Sequence, residues 1–199
     1  NWIAWAKGGA FSAFYYDIQT VISWSEGRGS YGSFIGTANR PLTRPASAQY
    51  FFRPGLTWPR RTQGGLSFRI MPSGCIFADK GPGIFVDNDL PDAILSLAAI
   101  CNSTPFSALV AVQMAFGSYE VGVIQRTPVP DLDQADTSLL ARLAHRTWSL
   151  KRLLDTRTEN SHAFTLPALL QVKADTLEDR AEAWATQASS VQEIGRAHV

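Results

Sequence analysis

Cysteine and histidine are scarce in this chain, with two of the first, Cys75 and Cys101, and three of the second. Two isolated cysteines cannot build a disulfide framework, and neither belongs to the CxxC pair that a zinc site would need. Charge is thin too: 18% of residues are charged, against roughly 25% in an ordinary soluble domain. No apolar run approaches the roughly 18 residues needed to cross a bilayer, so no membrane partner is expected. A starting Met is missing, and Asn1-Trp2-Ile3 has neither the basic nor the apolar region of a secretory leader, which points to the cytoplasm. What the chain does have is aromatic bulk. Six Trp and eleven Phe, with 45% hydrophobic residues over 199 positions, exclude disorder. That length suits one core of ordinary size, or a domain with a helical appendage.

The near-neutral total of +1 hides an asymmetry. Through residue 80 there are nine Lys and Arg against three acids; thereafter there are nine against fourteen. A basic front half is the usual footprint of a polyanion partner. Within it Arg outnumbers Lys seven to two. The planar guanidinium can grip a phosphate, or the O6/N7 edge of guanine, with two parallel hydrogen bonds. A solvated Arg-rich surface accounts for the charge alone equally well.

Both ends read as cut. Translation is expected to begin upstream of Asn1. Residues 193–199, Glu193-Ile194-Gly195-Arg196-Ala197-His198-Val199, match one reading frame of a common short-read sequencing adapter. The native sequence is therefore expected to stop near Gln192, which removes Arg196 and His198 from functional argument.

Two textures divide the remainder, giving an α+β class with a mainly antiparallel, short-stranded region followed by a helical one. Short apolar bursts at 14–16, 20–24, 49–52, 65–70, 75–78 and 83–86 sit between turn formers such as Pro54-Gly55 and Pro72-Ser73-Gly74, as strands do. A long loop over 27–48 carries Arg28, Arg40 and Arg44. After Asp89 the period becomes helical: Pro91–Ile100 closed at Asn102, then Thr104 to about Phe116. Residues 119–124 alternate like a strand. Asp136 is expected to cap a long helix to about Thr158, whose Leu139, Leu140, Leu143, Trp148, Leu150 and Leu153 form one apolar face. A last helix is expected from after Thr176 to about Gln192. The division is drawn at 1–130 for a recognition domain and 131–192 for a helical spacer.

Little of this supports catalysis. His145 sits mid-helix and His162 in a break, each reading as surface or packing. Gly27-Arg28-Gly29 and Gly81-Pro82-Gly83 are isolated and match no phosphate-loop spacing. The acidic run Asp87, Asn88, Asp89, Asp92 lacks calcium-hand spacing and reads as helix capping. No catalytic, cofactor or metal residue is assigned. The basic, aromatic-interleaved segment 52–65 stands out instead, with Arg53, Arg60, Arg61 and Gln63 on what reads as a tight turn between strands. Arg and Gln can read base edges, while Thr and backbone N–H can hold phosphate. The bland reading keeps Leu56 and Trp58 in the core and the arginines in water.

Four blocks in order carry a resemblance. They are Lys7-Gly8-Gly9 with Phe14-Tyr15 and Trp24; Tyr50-Phe51-Phe52-Arg53-Pro54-Gly55-Leu56-Thr57-Trp58 with Arg60-Arg61-Thr62; Arg69 and Pro72-Ser73-Gly74-Cys75-Ile76-Phe77 leading to Gly81-Pro82-Gly83-Ile84-Phe85; and Asn102-Ser103-Thr104-Pro105-Phe106 with Ser118-Tyr119-Glu120-Val121-Gly122 and Pro128-Val129-Pro130. Over about residues 1–172 the chain resembles the C-terminal region of large bacterial or archaeal N6-adenine DNA methyltransferases. These are the kind found in type IIG restriction–modification enzymes and BREX phage-exclusion systems. The resemblance implies a target-recognition segment for double-stranded DNA that follows a catalytic domain using S-adenosylmethionine. The family's Asn/Asp/Ser-Pro-Pro-Tyr/Phe motif and its Gly-rich cofactor turn are missing, so catalysis is expected upstream in the same parent chain. The DNA contacts this implies are Arg60, Arg61 and Gln63 first, then Lys7, Arg53 and Arg69, with Arg28, Arg40 and Arg44 on the long loop. A stand-alone specificity subunit and a protein-interaction domain built on the aromatics of 11–24 are the alternatives.

Overall fold

The computed structural model describes residues 1–24, 47–114 and 117–197. Among these lie six strands, all short: β1 Trp2–Ala6, β2 Val21–Ser23, β3 Gly55–Thr57, β4 Arg69–Met71, β5 Ile76–Phe77 and β6 Gly83–Ile84. They form two three-stranded sheets, ordered β2-β1-β5 and β4-β3-β6, in which every pairing except β1 with β5 is antiparallel. Five α-helices complete the α+β fold: α1 Pro91–Cys101, α2 Thr104–Ala111, α3 Val121–Arg126, α4 Gln134–Asp155 and α5 Leu177–Ala197.

Strand β1 shows why such short pieces hold. Its residues alternate between two cores, as a strand's period of two requires. Ile3 and Trp5 pack with Ile22, Phe51 and Ile76, while Ala4 and Ala6 pack with Met71 and Cys75. The second sheet supplies the larger cores. Trp58 and Phe68 meet Cys101, Phe106 and Val110 of α1 and α2, and Leu56 meets Phe14, Ile94 and Ala98.

Several elements differ from the expectations. Residues 49–52 form a 3-10 turn at Ala48–Tyr50, not a strand, and Phe52 takes a left-handed φ of 69°. The aromatics there are fixed by ring contacts: Phe51 lies edge-on to Trp24 at 5.8 Å and to Phe77 at 5.2 Å. The presumed turn 52–65 contains β3, the central strand of its sheet, all three residues of which are buried. Residues 119–124 begin a helix instead of a strand. Val123 and Ile124 turn inward together onto the Trp58–Phe106 core, and the Glu120 carbonyl accepts from both their N–H groups. Helix α2 stops at Ala111, short of Phe116. Helix α5 continues past Gln192 to Ala197.

The acidic run also behaves differently. Leu90 precedes α1 without any side-chain cap, and Asp89 is taken by Arg53. On α4 the cap is Asp133, whose carboxylate accepts from Asp136 N at 2.8 Å. The buried stripe of α4 is Ala141, Ala144 and Thr147, with Leu139, Leu143 and Leu153 exposed. Small residues let the α4 backbone lie close against α1, so the leucines are displaced from the contact. Among the described residues no single helix is long and apolar enough to cross a membrane.

Candidate nucleic-acid interface

Three backbone segments meet at one edge of the molecule. After β1 the chain turns through Gly8 at φ 90° and Gly9 at φ 121°, conformations open to glycine and strained for other residues. A β-carbon on Gly8 would stand 2.7 Å from the Lys80 carbonyl oxygen. Lys80 and Gly81 belong to a tight turn in which Gly81 N donates to Ala78 O at 3.0 Å. Arg60 N donates to the Lys80 carbonyl at 3.2 Å. Residues 7–9, 59–61 and 79–81 are thereby joined main chain to main chain.

Between them lies an open groove of about 450 Å³ bearing Lys7, Arg60, Arg61 and Lys80, with Asp79 as its acid. Lys7, Arg61 and Lys80 are exposed. The Lys7 ammonium sits 4.6 Å from the centre of the Trp5 ring. Arg60 is engaged: it pairs with Asp79 and with both oxygens of Glu120 at 2.6 Å. The Arg60 carbonyl also accepts from Tyr119 N at 2.8 Å. Arg60 thus clamps the loop before α3 to the groove. Its guanidinium, with the Ser118 hydroxyl, holds the Glu120 carboxyl below the usual glutamate range.

Behind the Lys7–Gly9 turn is a second cavity, of about 210 Å³, reached by Thr57 and Arg69. Arg69 is 2% exposed, and its Nε, Nη1 and Nη2 have no hydrogen-bond acceptor; the Thr57 hydroxyl is likewise without a partner. The Tyr16 ring lies 4.5 Å from the guanidinium carbon. Burial pushes Arg69 down to about 10, so it remains charged at neutral pH. Lys151 of α4 arrives from the far side and donates to the Ala13 carbonyl at 2.7 Å. Burial first, and then the charge of Arg69, lower its affinity for a proton.

The other expected contacts are scattered. Arg53 is held by Asp89 at 2.7 Å and by the Val86 carbonyl at 2.8 Å, beside the Tyr50 and Phe85 rings, and lines neither cavity. Gln63 is exposed and lines neither. Arg28, Arg40 and Arg44 fall outside the described residues.

Lys80, Tyr16, Thr57 and Lys151 were not among the expected contacts, although each belongs to the two-cavity assembly or its surround. Lys151 had a signal, since it follows Ala144 and Thr147 at helical spacing on the buried stripe. Tyr16 and Lys80 had none, because tertiary contact alone brings them here.

Among the described residues no competing chemical centre stands out. His145 is exposed and stacked on Trp148, and His162 is 67% exposed against Asp17. Burial pushes the Cys101 thiol up to about 12, far from a reactive thiolate. Among the described residues no group of three or more His, Cys, Asp or Glu is placed to hold a metal ion.

An open groove of Lys and Arg on main-chain turns is suited to contacting phosphates. No protein-family pattern matches the chain. It is, however, 25% identical to the adenine-specific methyltransferase PglX of Lacticaseibacillus casei (strain Zhang), over 199 aligned positions. That similarity takes in 94% of this chain and 16% of PglX, as a fragment of a methyltransferase would.

Proposed function

We propose that this chain is the DNA-contacting, target-recognition segment of an adenine-specific DNA methyltransferase in a restriction–modification or phage-defence system. The groove of Lys7, Arg61 and Lys80 carries this reading, because three exposed cations lining one groove are the side chains that grip a phosphate backbone. The similarity to PglX supports it. The duplex backbone lies along the groove, and base edges are read by exposed side chains of the same chain, Gln63 among them. The chain thereby positions one adenine for a catalytic domain elsewhere in the parent protein, which methylates it at N6.

S-adenosylmethionine, the methyl donor of such an enzyme, carries a sulfonium and an ammonium group. With one carboxylate it keeps a net positive charge, which a groove with more cations than its single acid, Asp79, disfavours, so no step through the cofactor is assigned to this chain.

The test is duplex binding by this chain over a series of salt concentrations. Each phosphate neutralised contributes about −0.9 to the slope of log K against log salt, so three cations give roughly −2 to −3. No measurable binding, or binding indifferent to salt, would overturn the reading.

A further inference from the structure

We propose that the cavity behind the Lys7–Gly9 turn is a phosphate pocket in which Arg69 and Thr57 receive one phosphodiester group of the DNA backbone. Naming DNA as the owner of that phosphate rests on the function proposed above; the anion pocket itself rests on geometry.

Arg69 is the least satisfied polar group described in the molecule. It is 2% exposed, and none of its three nitrogens meets an acceptor. Folded proteins pair nearly all buried polar groups, and a buried unpaired charge is among the costliest features a fold can carry. Its aromatic neighbour, Tyr16, faces the guanidinium carbon at 4.5 Å. A ring over the guanidinium face does not occupy its N–H groups, which project in the guanidinium plane.

Among the described residues no acid fills the gap. Asp17 lines the same cavity, but its carboxylate accepts from His162 N and faces His162 Nδ1, both at 3.1 Å. Lys151 adds a second, half-buried cation near Arg69 in place of a counter-charge.

The missing partner must therefore bring negative charge and at least two acceptor oxygens. The Arg fork and an adjacent hydroxyl are the donors that phosphate recognition uses. At about 210 Å³ the cavity is smaller than the roughly 300–1,000 Å³ of ordinary small-molecule sites, so it suits a group and not a whole cofactor. It shares the Lys7–Gly9 wall with the cationic groove, which places the pocket beside the path proposed for the duplex.

The experiment uses this chain, with Arg69→Met, Arg69→Lys and Thr57→Val variants shown to be folded by circular dichroism. Thermal unfolding is followed in inorganic phosphate and in chloride at matched ionic strength. Wild-type Tm should rise with the logarithm of phosphate concentration, by roughly 5–10 °C at a hundredfold excess over Kd. Arg69→Met should lose this dependence, and Thr57→Val should weaken it. If Arg69→Met does not fold, Arg69→Lys decides: it keeps charge without the fork and should bind phosphate at least about tenfold more weakly.

No phosphate-specific rise in the wild type would overturn the pocket, as would wild-type behaviour of the Arg69 variants. Duplex DNA that displaces the phosphate supports the assignment to backbone. Phosphate binding through Arg69 without any DNA binding overturns the DNA assignment together with the function it rests on. Salt-dependent DNA binding unchanged in the Arg69 variants removes the pocket and leaves the groove standing.

Discussion

The carboxamide of Asn102 pairs with the main chain of Phe68 as a neighbouring strand would. Its Oδ1 accepts from Phe68 N and its Nδ2 donates to Phe68 O, both at 2.9 Å, with a further bond to Ala98 O. The residue that closes α1 therefore also holds the entry to β4, and with it Arg69. Asn102→Ala leaves the buried Phe68 N–H without a partner, a loss of about 1–3 kcal/mol, while the Phe68 carbonyl keeps its bond from Phe14 N at 2.7 Å. We expect a loss of roughly 1–3 kcal/mol in urea unfolding, whereas an exposed change such as Gln63→Ala stays within about 0.5 kcal/mol.

Gly8→Ala tests the join between the turns. The new β-carbon would sit 2.7 Å from the Lys80 carbonyl at a φ of 90°. A destabilisation above about 1 kcal/mol is expected, with weaker DNA binding because both cavities share this wall. Unchanged stability and affinity would show that the turn is more adaptable than its geometry implies.

Arg61→Ala and Lys80→Ala should each reduce the salt slope of DNA binding by about 1 and weaken all sequences alike. Both side chains are exposed, so stability should move by less than about 0.5 kcal/mol. Arg53→Ala should do the reverse, because Arg53 holds Asp89 and the Val86 carbonyl away from the groove. Its salt slope stays at the wild-type value while its stability falls.

Glu120 provides a pH dependence with a definite sign. Its carboxyl is held below its ordinary value by Arg60 and Ser118. Stability from this pair is fully present above the unfolded value of about 4.3 and is lost as pH falls through the lower folded value. The Tm gap between wild type and Glu120→Gln should therefore be widest near neutrality and close in acid. A gap independent of pH would assign the effect to packing alone.

Ala144→Leu probes the close approach of α4 to α1. Ala144 is 1% exposed in the core of Leu56, Ile94 and Ala98. Overpacking there should cost about 1–3 kcal/mol by denaturant titration.

Much of the α+β class was legible in the chain, and particular residues show where legibility stopped. Pro91, Thr104-Pro105 and Asp175-Thr176 carry local helix-start chemistry, and α1, α2 and α5 begin there. Residues 119–124 misled because six residues of alternating bulk fit either period, and the Trp58–Phe106 core decides between them. On α4 the leucines outweighed the alanines by hydrophobicity, but contact with α1 selected for smallness. Of the groove residues, Arg61 was named from charge and aromatic context and Lys7 from the resemblance. The carboxylates that engage Arg60 lie at positions 79 and 120, and no local pattern links them to it.

The near-contact of Gly8 with the Lys80 carbonyl has one more consequence. Lys7 and Lys80 stand at opposite ends of the basic half of the sequence, yet their α-carbons are spaced by backbone touching backbone. The interval between the two charges is therefore a property of the scaffold, like the pitch of teeth on a gear. Under the DNA-reading role proposed above, side chains beside the groove could change without altering that pitch, and a new target sequence would be acquired on an unchanged scaffold.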